Sequence, residues 1–419
     1  MSAGVYGHGA IPCPGRSGIL TLSALDALPT LDQSSATAAG LSLAELVHRL
    51  QASAPDLDHE GAVPTREVDM LADAGLLGLP VPQAVGGGGL GTGPGQTGAL
   101  LGLLSELGRG NLSLGRIYEG HANALQLIAA YGTRSQVAAA ADDACAGRRL
   151  FGVWNTEAAD GITITPMMAG RYRLAGAKTF ASGAGVVTRA LVTGRLPDGG
   201  WQMCLLPLDE VTTSADASWW RPMGMYGSAS FKVDVSGVEI GQEALIGPPD
   251  AYQRQPWLSA GAIRFAAVQL GGAEALFDVA RAELRSLGRD GDPHQRARFG
   301  QLAVAIESGR LWLRGAAPHI DQLLAGECAG TPDEELLLRV VAYVNMARTA
   351  IERICLDTIE LTQRSIGVRG LLKPHPVERL VRDLSLYLRQ PVPDAALTNA
   401  GQFVLESPSA SPDLWSPHP

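Results

Sequence analysis

The segment 86–91 has glycine at its first, third and sixth positions, the spacing of the G-x-G-x-x-G sequence that binds the pyrophosphate of dinucleotides. That chemistry requires a strand before the first glycine and a helix that opens at the last one. Two prolines, Pro80 and Pro82, precede the segment, and Pro94 follows it. The sequence therefore predicts a connector between helices here, and not a nucleotide-binding turn.

Cysteine and histidine are too scattered along the chain for metal chemistry. The five cysteines share no C-x-x-C spacing, and the eight histidines form no H-x-x-x-H or H-x-H pair. Structural zinc sites and disulfide frameworks both need such groupings. We therefore expect no metal site, and the cysteine usage is typical of a protein in the reducing cytoplasm.

The charge balance and hydropathy exclude two further classes of protein. With 33 basic and 42 acidic residues the formal net charge is −9, so no positive surplus is present to neutralise nucleic-acid phosphates. No apolar run approaches the length of about 18 residues that a membrane helix needs. The first 30 residues lack a basic start, which does not support a signal peptide. The prediction is a soluble, cytoplasmic, globular protein.

Composition changes along the chain in an order that predicts an α+β protein. Hydrophobic residues recur at helical spacing in the first and last large blocks, whereas the middle block contains strand-sized runs separated by glycine, proline and aspartate. The predicted units are a loosely ordered extension (1–40), an N-terminal helical domain (41–149), a β-domain (150–248), a C-terminal helical bundle (249–404) and a disordered tail (405–419).

One helix of the last block has a clear predicted start and a clear apolar face. Thr331 is the predicted N-cap, because a proline follows it and Glu334 stands at the third helical position. An apolar stripe then repeats at spacings of four and three residues, which predicts packing against a partner helix. Its members are Val340, Val344, Ala347, Ile351 and Ile354.

Short motifs in the same order along the chain resemble those of the acyl-CoA dehydrogenase family. Each motif is short, but seven agree in sequence order over an independently predicted α–β–α arrangement. They are residues 74–82 (AGLLGLPVP), 130–133 (AYGT, with His121 before it), 154–157 (WNTE), 177–183 (AKTFASG), 223–228 (MGMYGS), 296–300 (RARFG) and 367–383 (GVRG, then PVERLVRD).

The resemblance implies a fold, a cofactor and an assembly. The implied architecture is an N-terminal helical domain, a small central β-barrel or sandwich, and a C-terminal four-helix bundle. FAD would lie noncovalently between the β-domain and the bundle, usually in a homodimer or homotetramer. The implied partners are a small-molecule substrate, such as an acyl thioester or a carrier-bound acyl group, and an electron acceptor that is a flavoprotein or O2.

Four candidate cofactor residues lie in two of these motifs. Carried over from the family, Thr156 would bond to the edge of the isoalloxazine ring in the loop that begins at Trp154. Phe180 would pack against the ring where the family has tryptophan. Ser182 would stand where a threonine touches the reactive flavin nitrogen. One hydroxyl and one aromatic face preserve the chemistry of those two positions.

Four more candidates come from the bundle. Arg296 would clamp the pyrophosphate of FAD in a neighbouring subunit, a task for a planar and permanently charged donor. Phe299 would pack near the adenine, and the backbone at Gly367 and Gly370 would approach the cofactor closely. Taken singly, each candidate has an ordinary structural explanation, such as a solvated helix face for Arg296. The order of the motifs favours the flavin interpretation for the set.

The family's catalytic base is missing from both of its usual positions. The glutamate expected after the Arg-Asp pair falls on Gln390 or Pro391, neither of which accepts a proton at neutral pH. The alternative position, beside Arg264, holds Ile263, and the loop 156–161 lacks the family's Pro-Gly-x-Gly-Ser-Asp continuation. We assign no catalytic residue. Four nearby side chains could replace the base but have ordinary structural explanations: His375, Glu378, Asp383 and Asp394.

Three functions are compatible with these motifs. The first is an acyl-CoA dehydrogenase-like FAD oxidoreductase with a displaced base. The second is a monooxygenase on the same fold, similar to the dibenzothiophene-type enzymes, which uses reduced flavin and O2 and needs no α-proton base. The third is a non-catalytic flavoprotein. Whole-chain likeness favours the first, whereas the missing glutamate counts against simple dehydrogenation.

Overall fold

The computed structural model describes residues 42–255, 261–328, 333–389 and 393–416. The predicted extension 1–40 and the base positions Gln390 and Pro391 lie outside these ranges. Among the described residues, no helix has both the length and the apolar character needed to cross a membrane.

The N-terminal unit consists of helices joined by short turns. Side-chain caps define two of the starts: Ser42 with Glu45, and Thr133 with Gln136, each form a reciprocal capping box. The helices are α1 (Leu43–Ser53), α2 (Thr65–Asp73), α3 (Thr97–Gly110), α4 (Leu112–Tyr131) and α5 (Arg134–Cys145). The connector between α2 and α3 contains short 3-10 turns and no strand, so segment 86–91 is not a dinucleotide-binding turn.

The middle unit contains two sheets. In the larger sheet the order is β10-β6-β5-β2-β3-β9, and β1 pairs parallel with β5; the smaller sheet is antiparallel with the order β4-β8-β7. The strands are β1 (Phe151–Trp154), β2 (Thr163–Pro166), β3 (Arg171–Ala175), β4 (Ala177–Ala181), β5 (Arg189–Arg195), β6 (Trp201–Pro207), β7 (Ser214–Asp216), β8 (Phe231–Asp234), β9 (Glu239–Gly241) and β10 (Leu245–Ile246).

The C-terminal unit is a bundle of long helices. They are α6 (Ala262–Ser286), α7 (Pro293–Cys328), α8 (Glu334–Ile366), α9 (Pro376–Tyr387) and α10 (Pro393–Glu406). Four of the five residues of the predicted α8 stripe are buried, with Val340, Val344 and Ile351 fully inside the core, and Ile354 is half-buried. The same core continues into α3 and α4, so the helical units share one hydrophobic interior.

Two local predictions in the bundle require correction. Helix α8 begins at Glu334 with Asp333 as its N-cap, whose carboxylate accepts two backbone N–H groups; the predicted cap, Thr331, lies outside the described residues. The predicted disordered tail makes defined contacts as far as residue 416. Trp415 packs on Tyr343 and Phe403, and Arg339 donates to the carbonyl oxygen of Ser416.

Candidate functional site

Two loops of the β-domain meet at the C-terminal ends of β1 and β4. The indole Nε1 of Trp154 donates to the carbonyl oxygen of Ser182 at 3.0 Å, and the N–H of Thr179 donates to the carbonyl oxygen of Thr156 at 3.0 Å. The Trp154 ring is buried, whereas Thr156 is exposed. The structure therefore brings Trp154, Thr156 and Ser182 together, with Trp154 holding the two loops in register.

A buried lysine, Lys178, holds the loop that follows β1. The side chain of Lys178 is fully buried, and its Nζ donates to the carbonyl oxygen of Asn155 at 3.0 Å, to Glu157 Oε2 at 2.8 Å and to Thr193 Oγ1 at 3.0 Å. Burial lowers the pKa of Lys178, while the Glu157 carboxylate opposes that change. A buried ammonium with three acceptors sets the conformation of residues 155–157.

Phe180 presents its ring to solvent from a strained backbone. Its φ angle is 52°, in the left-handed region where a bulky residue is an outlier, and the residue is 50% exposed. The ring stands edge-on to Trp219 with centroids 4.8 Å apart, and a register shift in the β4–β8 pair lies at this position. Such strain is characteristic of residues held for contact with a ligand.

Ser182 begins a chain of three hydroxyl groups. Its Oγ lies 2.8 Å from Ser230 Oγ, which in turn lies 2.8 Å from Ser228 Oγ, and all three residues are buried. Helix α4 covers this turn, because a Cβ built on Gly183 would lie 3.4 Å from Ile117 Cγ2. The Ser182 hydroxyl is therefore held in place by its neighbours.

The four bundle candidates form a second group at one end of the bundle. Phe299 packs on Phe277 at 5.4 Å between ring centroids and lies beside the buried Ile366. Arg296 is exposed and donates to the carbonyl oxygen of Asp290. Among the residues that the structure describes, no contact links these bundle residues to the loops after β1 and β4 of the same chain.

Different structural features favour glycine at positions 367 and 370. Gly367 ends α8 with a φ of 77° and has open space where a Cβ would stand. At Gly370 a Cβ would lie 2.7 Å from Ile366 Cγ2, so the packing of its own chain excludes a side chain there. The Gly370 position is thus explained without a cofactor.

A buried polar cluster joins α4 to α6 behind the first group. Arg116 Nη1 lies 2.6 Å from Glu119 Oε2, and Arg264 Nε lies 3.2 Å from Glu119 Oε1. Arg264 Nη1 also donates to the amide oxygen of Gln126. Both carboxylate oxygens of Glu119 are therefore held by guanidinium groups. We call these four residues the arginine cluster.

Two tyrosines complete the surroundings of the arginine cluster. Burial raises the pKa of both Tyr252 and Tyr387, and the charges of Glu119, Arg116 and Arg264 act on both phenol groups. Burial by itself lowers the pKa of Arg116, but Glu119 and the two tyrosines together raise it, and the net pKa is raised. At neutral pH the two phenol groups beside the cluster are therefore neutral.

Three of the four candidate replacement bases have structural roles. His375 caps the N-terminus of α9, and its Nε2 contacts Glu283. Glu378 pairs with Arg382 at 2.6 Å. Asp383 is buried; burial raises the pKa of its carboxyl, although the N–H of Met225 and the guanidinium of Arg379 oppose that change. The fourth, Asp394, is exposed in the first turn of α10.

Sequence reasoning missed the arginine cluster and the serine chain. Arg116 and Glu119 are the only charged residues of α4, three positions apart in a helix that is otherwise largely buried, which is a local signal for a buried ion pair. Their pairing with Arg264, 145 positions later than Glu119, has no local signal. Ser228 and Ser230 stand two positions apart just before β8, a pattern too common to be informative.

The fold has the three units that the motifs predict: a helical unit, a two-sheet β-domain and a helical bundle. An aromatic side chain and hydroxyl groups lie at the ends of β1 and β4. This combination defines a class of flavoprotein fold. Two sequence models support this class. The model described as acyl-CoA dehydrogenase, N-terminal domain, matches residues 42–148, and the model described as acyl-CoA dehydrogenase, C-terminal domain, matches residues 263–388. The chain belongs to the acyl-CoA dehydrogenase family.

Similar proteins within this family include monooxygenases and a dehydrogenase. The dibenzothiophene monooxygenase of Mycolicibacterium goodii is 23% identical over 403 residues, which cover 89% of this chain and 94% of that protein. The FMN-bound structure of TdsC from Paenibacillus sp. A11-2 matches with a TM-score of 0.79 and 20% identity, over 89% of this chain and 98% of TdsC. Butyryl-CoA dehydrogenase from Megasphaera elsdenii matches with a TM-score of 0.70 and 18% identity, over 87% and 97%. The predicted fold is confirmed.

Proposed function

We propose that this protein is a flavin-dependent monooxygenase that uses reduced FMN and O2. The observation that carries the proposal is the state of Glu119, the carboxylate of the arginine cluster. A guanidinium engages each of its oxygens, so neither oxygen is free to accept the α-proton that thioester dehydrogenation must remove. Monooxygenation needs no such base. The similarity to dibenzothiophene monooxygenases supports the same choice over acyl-CoA oxidation.

The first group of site residues suits an isoalloxazine ring. Phe180 offers an exposed aromatic face, Thr156 an exposed hydroxyl, and Ser182 a hydroxyl that its neighbours hold in place. When bound, reduced flavin supplies the electrons that activate O2. The protein's own groups would hold the ring, exclude water with the Trp219 and Trp220 side chains, and fix the substrate beside it.

FMN replaces FAD in this proposal. The sequence resemblance implied FAD, with Arg296 on the pyrophosphate and Phe299 near the adenine. The FMN-bound relative supports a flavin without the adenosine half. In the structure Phe299 packs within the bundle of its own chain, against Phe277, which gives it a role that needs no adenine.

Anaerobic and aerobic flavin assays separate the two reactions. We expect the protein to bind reduced FMN and, with O2, to oxygenate a member of a panel of organosulfur and indole compounds with and without a carboxylate group, with one atom of 18O2 appearing in the product. We also expect no bleaching of bound oxidised flavin by acyl-CoAs without O2. Bleaching by an acyl-CoA, or oxidation of reduced FMN with no product from the substrate panel, would contradict the proposal. FAD mixed in place of FMN tests the choice of flavin.

Replacing Lys178 with methionine is expected to weaken FMN binding about 10- to 100-fold, which corresponds to about 1.4–2.8 kcal/mol. The substitution leaves the carboxylate of Glu157 and the carbonyl of Asn155 without their shared cation, so the loop that carries Thr156 loses its fixed conformation. Quenching of FMN fluorescence on titration with protein measures the dissociation constant.

Lys232→Met provides the matched control for this prediction. Lys232 pairs with Asp160, which follows the loop 155–157 in sequence, but the aspartate side chain is 52% exposed. Loss of this pair should therefore leave the FMN dissociation constant within about twofold of the wild-type value. Equal effects of the two substitutions would show that the buried contacts of Lys178 do not set the geometry of the flavin loop.

A further inference from the structure

The arginine cluster carries an uncompensated positive charge. Arg116 and Arg264 share one carboxylate, that of Glu119, and the cluster's remaining member, Gln126, is neutral. The nearby phenol groups are neutral at pH 7 because burial raises their pKa values. Two cations and one anion leave a net charge of about +1 in a space with little solvent, which is costly unless an anion compensates it.

Two other arginines with little exposure, Arg189 and Arg382, are fully compensated. Arg189 contacts three carboxylates and Arg382 contacts two, so each of those groups carries no positive excess. The carboxylates are Asp143, Asp209 and Glu210 for Arg189, and Asp58 and Glu378 for Arg382. The arginine cluster differs from both of these groups, because its two guanidinium groups share one carboxylate.

Arg116 also keeps part of its hydrogen-bonding capacity available. Within the described part of the chain its guanidinium donates through Nη1 alone, to Glu119, and its side chain remains 26% accessible. An arginine offers five N–H donors in a planar fork that matches the two oxygens of a carboxylate. The Nε and Nη2 donors of Arg116 are therefore suited to a second, external acceptor.

Arg116 lies close to β1, the strand that leads into the first of the two loops. A Cβ built on Gly120 would lie 3.6 Å from Arg116 Nη1 and 3.9 Å from the backbone nitrogen of Val153, in the strand that leads to Trp154. Arg264 reaches the same place from α6, beside the position where the family resemblance puts one of its two catalytic bases. An organic molecule bound at Arg116 would thus lie beside β1, the strand that ends at Trp154.

We propose that the substrate carries a carboxylate or a comparable two-oxygen anion, which Arg116 binds through its free donors. The proposal rests on the proposed function in taking this space as the substrate site. The anion balances the excess charge of the cluster. A wholly apolar substrate would remove water from Arg116 without replacing its hydrogen bonds.

Calorimetric titration of the flavin-free full-length protein tests this inference with pairs of probes in which a neutral amide replaces the carboxylate. Benzoate is compared with benzamide, and propionate with propionamide. We expect saturable binding of at least one anion and binding of its amide that is weaker by about tenfold or more. In the Arg116→Gln variant the anion should bind about tenfold more weakly, and in Arg116→Lys the affinity should lie between the two.

Arg281→Gln is the control variant, because Arg281 lies on the exposed face of α6 and pairs with Asp278. It should leave anion binding unchanged. Equal affinities for anion and amide, undiminished binding by Arg116→Gln, or no saturable binding of either anion would overturn the proposal. FMN titration of the same samples is independent of this outcome. A protein that binds FMN but no anion refutes only the substrate class, and one that binds anions but no flavin refutes the monooxygenase.

Discussion

Replacing Asp383 with alanine is expected to lower the free energy of unfolding by about 3–5 kcal/mol, the usual cost of removing one partner of a buried ion pair. Asp383 lies on α9 and is 5% exposed. Its Oδ1 accepts the backbone N–H of Met225, and its Oδ2 lies 3.3 Å from Arg379 Nη1. The substitution leaves a buried N–H and a largely buried guanidinium without an acceptor.

The effect is large because this point joins all three units of the fold. Met225 belongs to the β-domain and has a φ of 59°, so its backbone is held in the left-handed region by these contacts. The next residue of α9 towards the N-terminus, Arg382, donates to both carboxylate oxygens of Asp58 in the N-terminal unit and to the carbonyl of Met223. Helix α9 therefore anchors both other units, and loss of Asp383 loosens the junction.

Urea denaturation of three variants isolates the buried contact. Asp383→Asn keeps an oxygen for the Met225 N–H and should cost less, about 1–3 kcal/mol. Glu360→Ala removes the acid of another i, i+4 pair with an arginine, in which both side chains are more than 60% exposed, and should cost less than about 1 kcal/mol. If Asp383→Ala and Glu360→Ala have equal effects, burial does not determine the strength of the junction.

Patterns within one segment of the sequence predicted the fold well. The α8 stripe could be predicted because a helix repeats every 3.6 residues whatever its partners are. The prolines before Gly86 likewise showed that no dinucleotide-binding turn begins there. The predicted N-cap of α8 was wrong because two nearby residues, Thr331 and Asp333, are both of a type that favours the N-cap position. The carboxylate of Asp333 takes this role by accepting two backbone N–H groups.

Features that depend on distant segments could not be read from the chain. The sequence shows an aromatic residue at position 180, but it does not show the left-handed backbone of Phe180 or its contact with Trp219. Both arise where the β4–β8 pair has a register shift. The arginine cluster joins α4 to α6, and only the tertiary fold shows that one carboxylate serves two cations. Local sequence therefore predicts which elements form, and packing between elements determines the electrostatics of the site.

Acidification is expected to destabilise the protein through His121, by about 2 kcal/mol at pH 5 relative to pH 7. His121 is fully buried in α4; its Nε2 lies 2.8 Å from the carbonyl oxygen of Leu77, and the N–H of Phe151 donates to its Nδ1. These partners fix the neutral tautomer with hydrogen on Nε2. Burial lowers the pKa of His121 to about 4, from an ordinary value of 6.5.

The sign follows from which state binds the proton. Between pH 6.5 and about 4 the unfolded chain protonates this imidazole and the folded chain does not, so falling pH favours unfolding throughout that window. Urea denaturation at pH 7 and pH 5 measures the difference. His121→Gln lowers stability at both pH values but should reduce the pH-dependent loss by about 2 kcal/mol, whereas His48→Gln, at an exposed position of α1, should not change it. A pH dependence that is the same in wild type and His121→Gln would place the acid sensitivity elsewhere in the molecule.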